Sequence, residues 1–228
     1  MPRLSIELRA GEGGQDAEAF CAELRSAISN FARRRSDAWS LAPSNPGTRT
    51  LIIRVDGSLP AYLPLAGVHR IQRVPKNGGG RRHTSTATVA VLEAQDRAEV
   101  HLVDADVQTE VYKGLGPGGQ HHQKNQTAVR LTHLPTGITV TVERGRSQWQ
   151  NLQRARQILI RRLTEREQRA ADATRSDERR SQVSSGERPV KQFTHNAQRS
   201  VVISHETGRA WRWADFYRGR LDADSEAA

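Results

Sequence analysis

Residues 114–140, GLGPGGQHHQKNQTAVRLTHLPTGITV, set a long polar loop directly against a short alternating segment. Gly114, Gly116, Gly118 and Gly119, with Pro117 among them, keep the first part out of helix and strand. Glycine reaches backbone angles closed to other residues, and proline removes a backbone donor. From Ala128 to His133 and again from Ile138 to Val142, apolar and polar residues alternate with the period of a strand, and Leu134–Gly137 supplies a tight turn between them. Val107 to Lys113 alternates in the same way on the other side. The tripeptide GGQ at Gly118–Gln120 is therefore predicted to lie in a loop joining two strands of a small sheet.

Downstream, Ser147 to about Arg175 reads as a helix, with Leu152, Ala155, Leu159 and Leu163 on one face and Arg154, Arg161, Arg162, Arg166 and Arg169 around it. That arginine ladder is either a solvated face or a surface for RNA phosphate. The stretch TRSDERRSQVSSGERPV, residues 174–190, reads as a polar linker. The tail after it carries Trp211, Trp213, Phe216 and Tyr217, four aromatic side chains that require a surface to dock on. Upstream, Ala17, Phe20, Cys21, Leu24, Ala27, Ile28 and Phe31 recur at helical spacing, with Asp16 placed to cap the first turn behind Gly11, Gly13 and Gly14. Strands are predicted at Thr50–Val55 and Thr86–Leu92. Between them, GVHRIQRVPKNGGGRRHTS reads as a loop with a basic tip, because Pro75 and three successive glycines oppose regular structure.

Thirty-five Lys+Arg against twenty-five Asp+Glu give a net charge of +10, which calls for a polyanionic partner. Lysine occurs only at Lys76, Lys113, Lys124 and Lys191, and arginine's planar fork suits phosphate and base stacking, so nucleic acid is favoured over lipid. No apolar run approaches the ~20 residues of a membrane span, and the first residues lack the apolar core of a signal peptide, so a cytoplasmic location is expected. The single Cys21 excludes an internal disulfide and falls on the apolar face of its helix, where it reads as core. His121 and His122 have neither cysteines nor a carboxylate pattern beside them, and no Ser/His/Asp spacing is evident. No metal or other cofactor is expected.

GGQ occurs a second time, at Gly13–Gln15. The flanks decide between the two copies. Gly116, Gly118, Gly119, Gln120, His121, Ala128, Arg130 and Thr132–Gly137, followed by Arg146, Ser147, Gln148 and Asn151, resemble the peptidyl-tRNA hydrolysis domain of the class I peptide chain release factors. Gly67, His69, Arg70, Gln72–Pro75 and His83–Ser85 look like that family's decoding domain, and RAGEGGQDAEAF looks like its codon-reading helix tip. The tail from VVISHETG to Asp222 is similar to the family's return to the decoding domain. On this resemblance only the second GGQ does chemistry, and the first is a decoding element.

The resemblance implies an α+β fold: a decoding domain of mixed sheet with helix over residues 1–105, an inserted GGQ domain with a long C-terminal helix over 106–182, and a segment 183–228 packing back on the decoding domain. It implies a termination factor that, with the ribosome, hydrolyses the peptidyl-tRNA ester through Gly118, Gly119 and Gln120. The Gln120 amide would stabilise the leaving oxygen or oxyanion, and its side chain would help select water. Codon recognition would fall to Gly14, Gln15, Asp16, Pro75, Lys76, Asn77, His83 and Thr84, with RNA contacts from Arg70, Arg73, Arg81, Arg82, Lys124 and Arg146. The implied partners are the ribosomal A site with its decoding and peptidyl transferase centres, mRNA, P-site peptidyl-tRNA, and a methyltransferase acting on Gln120. The chain is expected to act as a monomer.

Four departures stand against the pattern. The family carries a helical domain ahead of the RAG turn, whereas this sequence starts almost at that turn. Pro75–Lys76–Asn77 replaces the family's Pro-x-Thr. Gln15 and Asp16 replace acidic residue and glutamate at the helix tip, and HHQKNQT follows the glycines where the family has HVNTTDS. Two other readings therefore stay open: a codon-independent ribosome-rescue factor of the release factor H type, and a non-catalytic RNA-binding protein.

Overall fold

The computed structural model describes residues 2–42, 49–75, 80–94, 101–113, 125–143, 145, 147–183 and 191–221. Two compact units divide the chain, one made of residues 1–95 with 175–228 and the other of residues 96–174.

The larger unit is built on a strand, β1 (Arg3–Ala10), whose alternation serves two faces. Leu4, Ile6 and Leu8 are fully buried on one side, where helix α1 (Gln15–Arg34) lays Phe20, Leu24, Ala27, Ile28 and Phe31 against them. Ser5 and Glu7 point the other way. Around β1 lie β2 (Ala38–Leu41), β3 (Thr50–Asp56), β4 (Gly67–Arg73) and β5 (His83–Glu93). A helical turn, α2 (Leu59–Tyr62), brings Tyr62 under α1, its hydroxyl donating to Asp37 at 2.6 Å. The basic segment 67–85 is therefore strand at both ends, where the sequence suggested loop: β4 pairs antiparallel with β5 from Gly67 opposite Val89 to Arg73 opposite His83. Val68 and Ile71 are fully buried, and this packing overrides the weak local signal.

The tail completes the same sheet. Strands β9 (Phe193–Asn196), β10 (Val201–Ser204) and β11 (Ala210–Arg212) extend it in the order β11-β10-β9-β4-β5-β1-β3-β2, with β9 parallel to β4 and every other pairing antiparallel. The final helix, which follows β11 at Trp213–Tyr217, places Phe216 in the core beside Trp211 and Leu221. Gly219, at φ 74°, lies against the α1 backbone at Asn30 and Phe31, where a Cβ would collide.

Buried at the seam of these pieces is a chain of neutral hydrogen bonds. The His69 ring donates from Nε2 to the Leu65 carbonyl at 2.9 Å, so its Nδ1 accepts from His195 Nε2 at 3.0 Å. His195 Nδ1 in turn accepts from the Tyr217 hydroxyl at 3.1 Å. Burial lowers the pKa of His69 to about 4 and that of His195 well below the ordinary value, His69 adding a smaller push on the latter. Burial likewise pushes Cys21 up to about 12, with Glu18 adding to it, consistent with a core residue.

The smaller unit is a three-stranded antiparallel sheet, β6 (Val107–Tyr112), β7 (Ala128–His133) and β8 (Ile138–Val142), in the order β6-β7-β8. Against it packs the long helix α3 (Gln148–Val183), with Ala155, Leu159 and Leu163 on Val129, Leu131 and Val140. The helix is longer than the sequence suggested. Residues 174–183, read as linker, are helical; from Arg175 on they belong to the larger unit, where Arg175 donates to Ser5 at 2.7 Å and to Glu7 at 3.0 Å, and Arg179 to Glu7 at 2.8 Å. Gln182 bonds both backbone groups of Val91 at 2.8 Å. These polar groups meet the side of β1 that faces away from α1, and the fold is α+β.

The arginine ladder also changes character. Arg162 donates to the Thr139 carbonyl at 2.8 Å and Arg166 to that of Thr136 at 3.3 Å, so both hold the β7–β8 hairpin. Arg161 pairs with Glu165.

Candidate nucleic-acid interface

The turn ahead of α1 is fixed by its glycines. Gly13 and Gly14 have φ of 124° and 58°, and a Cβ on Gly13 would meet the Ser85 side chain. Gly11 donates to the Thr86 carbonyl at 2.9 Å, Glu12 to the Thr86 hydroxyl at 2.9 Å, and Thr86 back to the Glu12 carbonyl at 2.8 Å. Gly14 is the N-cap, and no side chain caps the helix. Asp16, expected as the cap, turns instead toward the sheet. One oxygen accepts from Ser85 Oγ at 2.7 Å and the other from Arg73 at 2.8 Å.

Arg73 is the hub of this arrangement. Its guanidinium also donates to Glu23 at 2.6 Å, and the side chains of Arg73 and Asp16 are only 16% and 12% exposed. Burial opposes the charge on Arg73, but bonds and Coulomb attraction to Glu23 and Asp16 outweigh it and raise the pKa above the ordinary guanidinium value. Arg73, expected against RNA, donates in this structure to two carboxylates of α1. One clamp thus joins the tip of α1, the end of β4 that leads into Val74 and Pro75, and the start of β5 at His83–Ser85.

Above the clamp a groove of about 480 Å³ is lined by Gln15, Ala19, Val74 and Pro75, with Asp16, Glu23 and Arg73 at its wall. Val74 is exposed and so is His83, opposite Arg73 in the β4–β5 register. Thr84 is half-buried beside it, opposite Gln72. Arg81 and Arg82 are exposed and make no ion pair among the described residues. Arg70 is half-buried and donates weakly to Thr194 Oγ1 at 3.4 Å. Lys76 and Asn77 lie outside the described residues.

In the smaller unit, Gly118, Gly119, Gln120 and Lys124 lie outside the described residues, as does Arg146. What flanks them is well defined. Tyr112, at the end of β6, donates to Glu143 at 2.6 Å. Asn151, fully buried in the first turn of α3, donates to the carbonyls of Thr127 at 2.7 Å and Gly145 at 3.0 Å, and accepts from the Gly145 amide at 3.0 Å. A Cβ on Gly145 would collide with that Asn151 side chain. Asn151 therefore fastens both the entry to β7 and the turn before α3. In the sequence Asn151 stands in the motif with no evident task. A polar residue on the Leu152–Ala155 side of an amphipathic helix was the available signal.

Comparison with known proteins bears on this geometry. The PCRF domain matches residues 2–89 and the RF-1 domain residues 96–206. The chain belongs to the peptide chain release factor family. Peptide chain release factor 1 of Magnetococcus marinus is 39% identical over 208 residues, covering 88% of this chain and 57% of that relative. The protein of the same name from Gluconacetobacter diazotrophicus is 41% identical over 207 residues, covering 88% and 59%. Among solved structures, RF2 of Thermus thermophilus superposes with a TM-score of 0.51 at 31% identity, covering 97% of this chain and 65% of that one. The chain thus spans about three fifths of the length of these curated relatives.

Proposed function

We propose that the protein is a translation termination factor that enters the ribosomal A site and triggers hydrolysis of the peptidyl-tRNA ester in response to stop codons. The observation that carries this reading is the Asp16–Arg73–Ser85 clamp, which ties the α1 tip and the strand end before Pro75, both lining one groove, to the start of β5 at Ser85. Single-stranded RNA is read by such convergent elements, with exposed rings stacking on bases and short polar groups bonding their edges. In this proposal Gln15, Pro75, Lys76, Asn77, His83 and Thr84 face the codon and Asp16 with Arg73 positions them.

The chemistry falls to Gly118, Gly119 and Gln120. Water adds to the ester carbonyl, the bond to the ribose 3′ oxygen breaks, and the products are a peptide carboxylate and a free tRNA hydroxyl. The Gln120 amide donates to the oxygen that gains negative charge, and methylation of the Gln120 side chain belongs to the same proposal. The remaining charge stabilisation comes from ribosomal RNA.

The test is peptide release from ribosomes holding labelled peptidyl-tRNA, with UAA, UAG, UGA, a sense codon or no codon in the A site. Release confined to stop codons is expected, and Gln120→Phe should abolish it. Equal release on sense or absent codons would instead make the protein a rescue factor. Release unaffected by Gln120→Phe would leave only RNA binding.

A further inference from the structure

The chain has four tryptophans, and the structure gives three of them partners. Trp211 donates from its indole to the Leu221 carbonyl at 3.2 Å and packs on Phe193 and Phe216. Trp213 contacts His195 and Tyr217, and Trp39 lies under Arg33. Trp149 differs. It is 67% exposed and has no hydrogen bond, ring contact or cation–π partner among the described residues.

Its mounting is rigid. Trp149 occupies the first turn of α3, two residues before Asn151, whose three buried bonds to Thr127 and Gly145 fix that turn. A large ring held on a fixed base loses little conformational entropy when it is covered. The charge around it selects the cover. Gln148 and Gln150 on either side are exposed and neutral, Arg154 is exposed further along the helix, and Arg156, two turns on from Trp149, pairs with Asp104 at 2.6 Å. A ring flanked by neutral residues on a chain of net charge +10 favours a polyanion over a basic protein surface.

We propose that Trp149 is a nucleobase-stacking residue, whose indole face takes an unstacked base of RNA beside the smaller unit. Stacking needs a ring of either kind with an open face, tolerates any base, and leaves glutamine and arginine neighbours to meet base edges and phosphate. That the RNA is ribosomal rests on the function proposed above. The stacking itself does not.

The test uses the full chain with two probes: single-stranded octa-adenylate, and an RNA duplex of equal phosphate number. Trp149→Ala should bind octa-adenylate about 5- to 100-fold more weakly. Trp149→Phe should stay close to the parent protein, and neither variant should change duplex binding. Unchanged octa-adenylate affinity in Trp149→Ala, or equal loss on both RNAs, would overturn the proposal. On ribosomes, Trp149→Ala should raise the factor concentration for half-maximal release while the plateau rate holds. If Trp149→Ala loses octa-adenylate binding yet releases like the parent while Gln120→Phe is dead, the stacking and the proposed function stand and only the ribosomal identity of the RNA is overturned. If Gln120→Phe releases normally, the proposed function fails and octa-adenylate still decides the stacking. A ribosome defect in Trp149→Ala without an octa-adenylate defect would mean that Trp149 packs on a ribosomal protein, which also overturns it.

Discussion

Lowering the pH from 7 to 5 should destabilise the larger unit through its two buried histidines, before any carboxylate is much protonated. His69 and His195 are held neutral between Leu65 and Tyr217, and the rings packed around His195 from α1, β4 and the tail are Phe20, His69, Trp213, Phe216 and Tyr217, none of them a cation at pH 7. Both pKa values are depressed in the folded state, that of His69 to about 4. The unfolded chain takes up protons near pH 6.5 and the folded chain does not, so stability is complete above that value and is lost as the pH falls toward the folded pKa. At pH 5 the loss is set almost wholly by the unfolded value, and amounts to about 2 kcal/mol for each ring, or about 4 kcal/mol for the pair. His205 also has a lowered pKa, from burial first and then Lys191 and Arg70, but it is exposed and adds little. Against a total stability of about 5–15 kcal/mol this is a large fraction. Guanidinium unfolding at pH 7, 6 and 5, followed by the emission of Trp39, Trp211 and Trp213 in this unit, reads the effect. A loss under about 1 kcal/mol, or the His69 and His195 ring protons of the folded protein titrating near pH 6.5, would refute the reasoning.

Three substitutions probe the remaining contacts. Arg73→Met strands Asp16 and Glu23 and should cost the larger unit about 3 kcal/mol, while reducing release on stop codons; urea unfolding and the release assay check the two effects. Asn151→Leu leaves Thr127 and Gly145 without their buried partner and should lower the stability of the smaller unit by about 3 kcal/mol, with a slower plateau release rate, which amide exchange at Gly145 and single-round release would report. Gly219→Ala forces an alanine to positive φ against the Asn30–Phe31 backbone and should cost about 3 kcal/mol, visible as a lower melting temperature.

The sequence by itself determined the elements whose signal is local: the α1 face from Ala17 to Phe31, the β7–β8 hairpin around Leu134–Gly137, and the apolar stripe from Leu152 to Leu163. Periodicity and turn chemistry act over a few residues, so they are legible without the fold. It also carries the motifs around Gly118–Gln120 and Gly67–Pro75 that resemble the release factors. Only the tertiary structure decided that Gly67–Arg73 is a strand, that residues 174–183 are helix, and that Asp16 bonds Arg73 rather than capping its own helix. Those outcomes depend on partners distant in sequence: β9 beside β4, Glu7 beneath Arg175 and Arg179, and Ser85 beneath Asp16. A charged side chain commits to whichever opposite charge the fold brings within bonding distance while shielding it from water, and no window of sequence contains that distance.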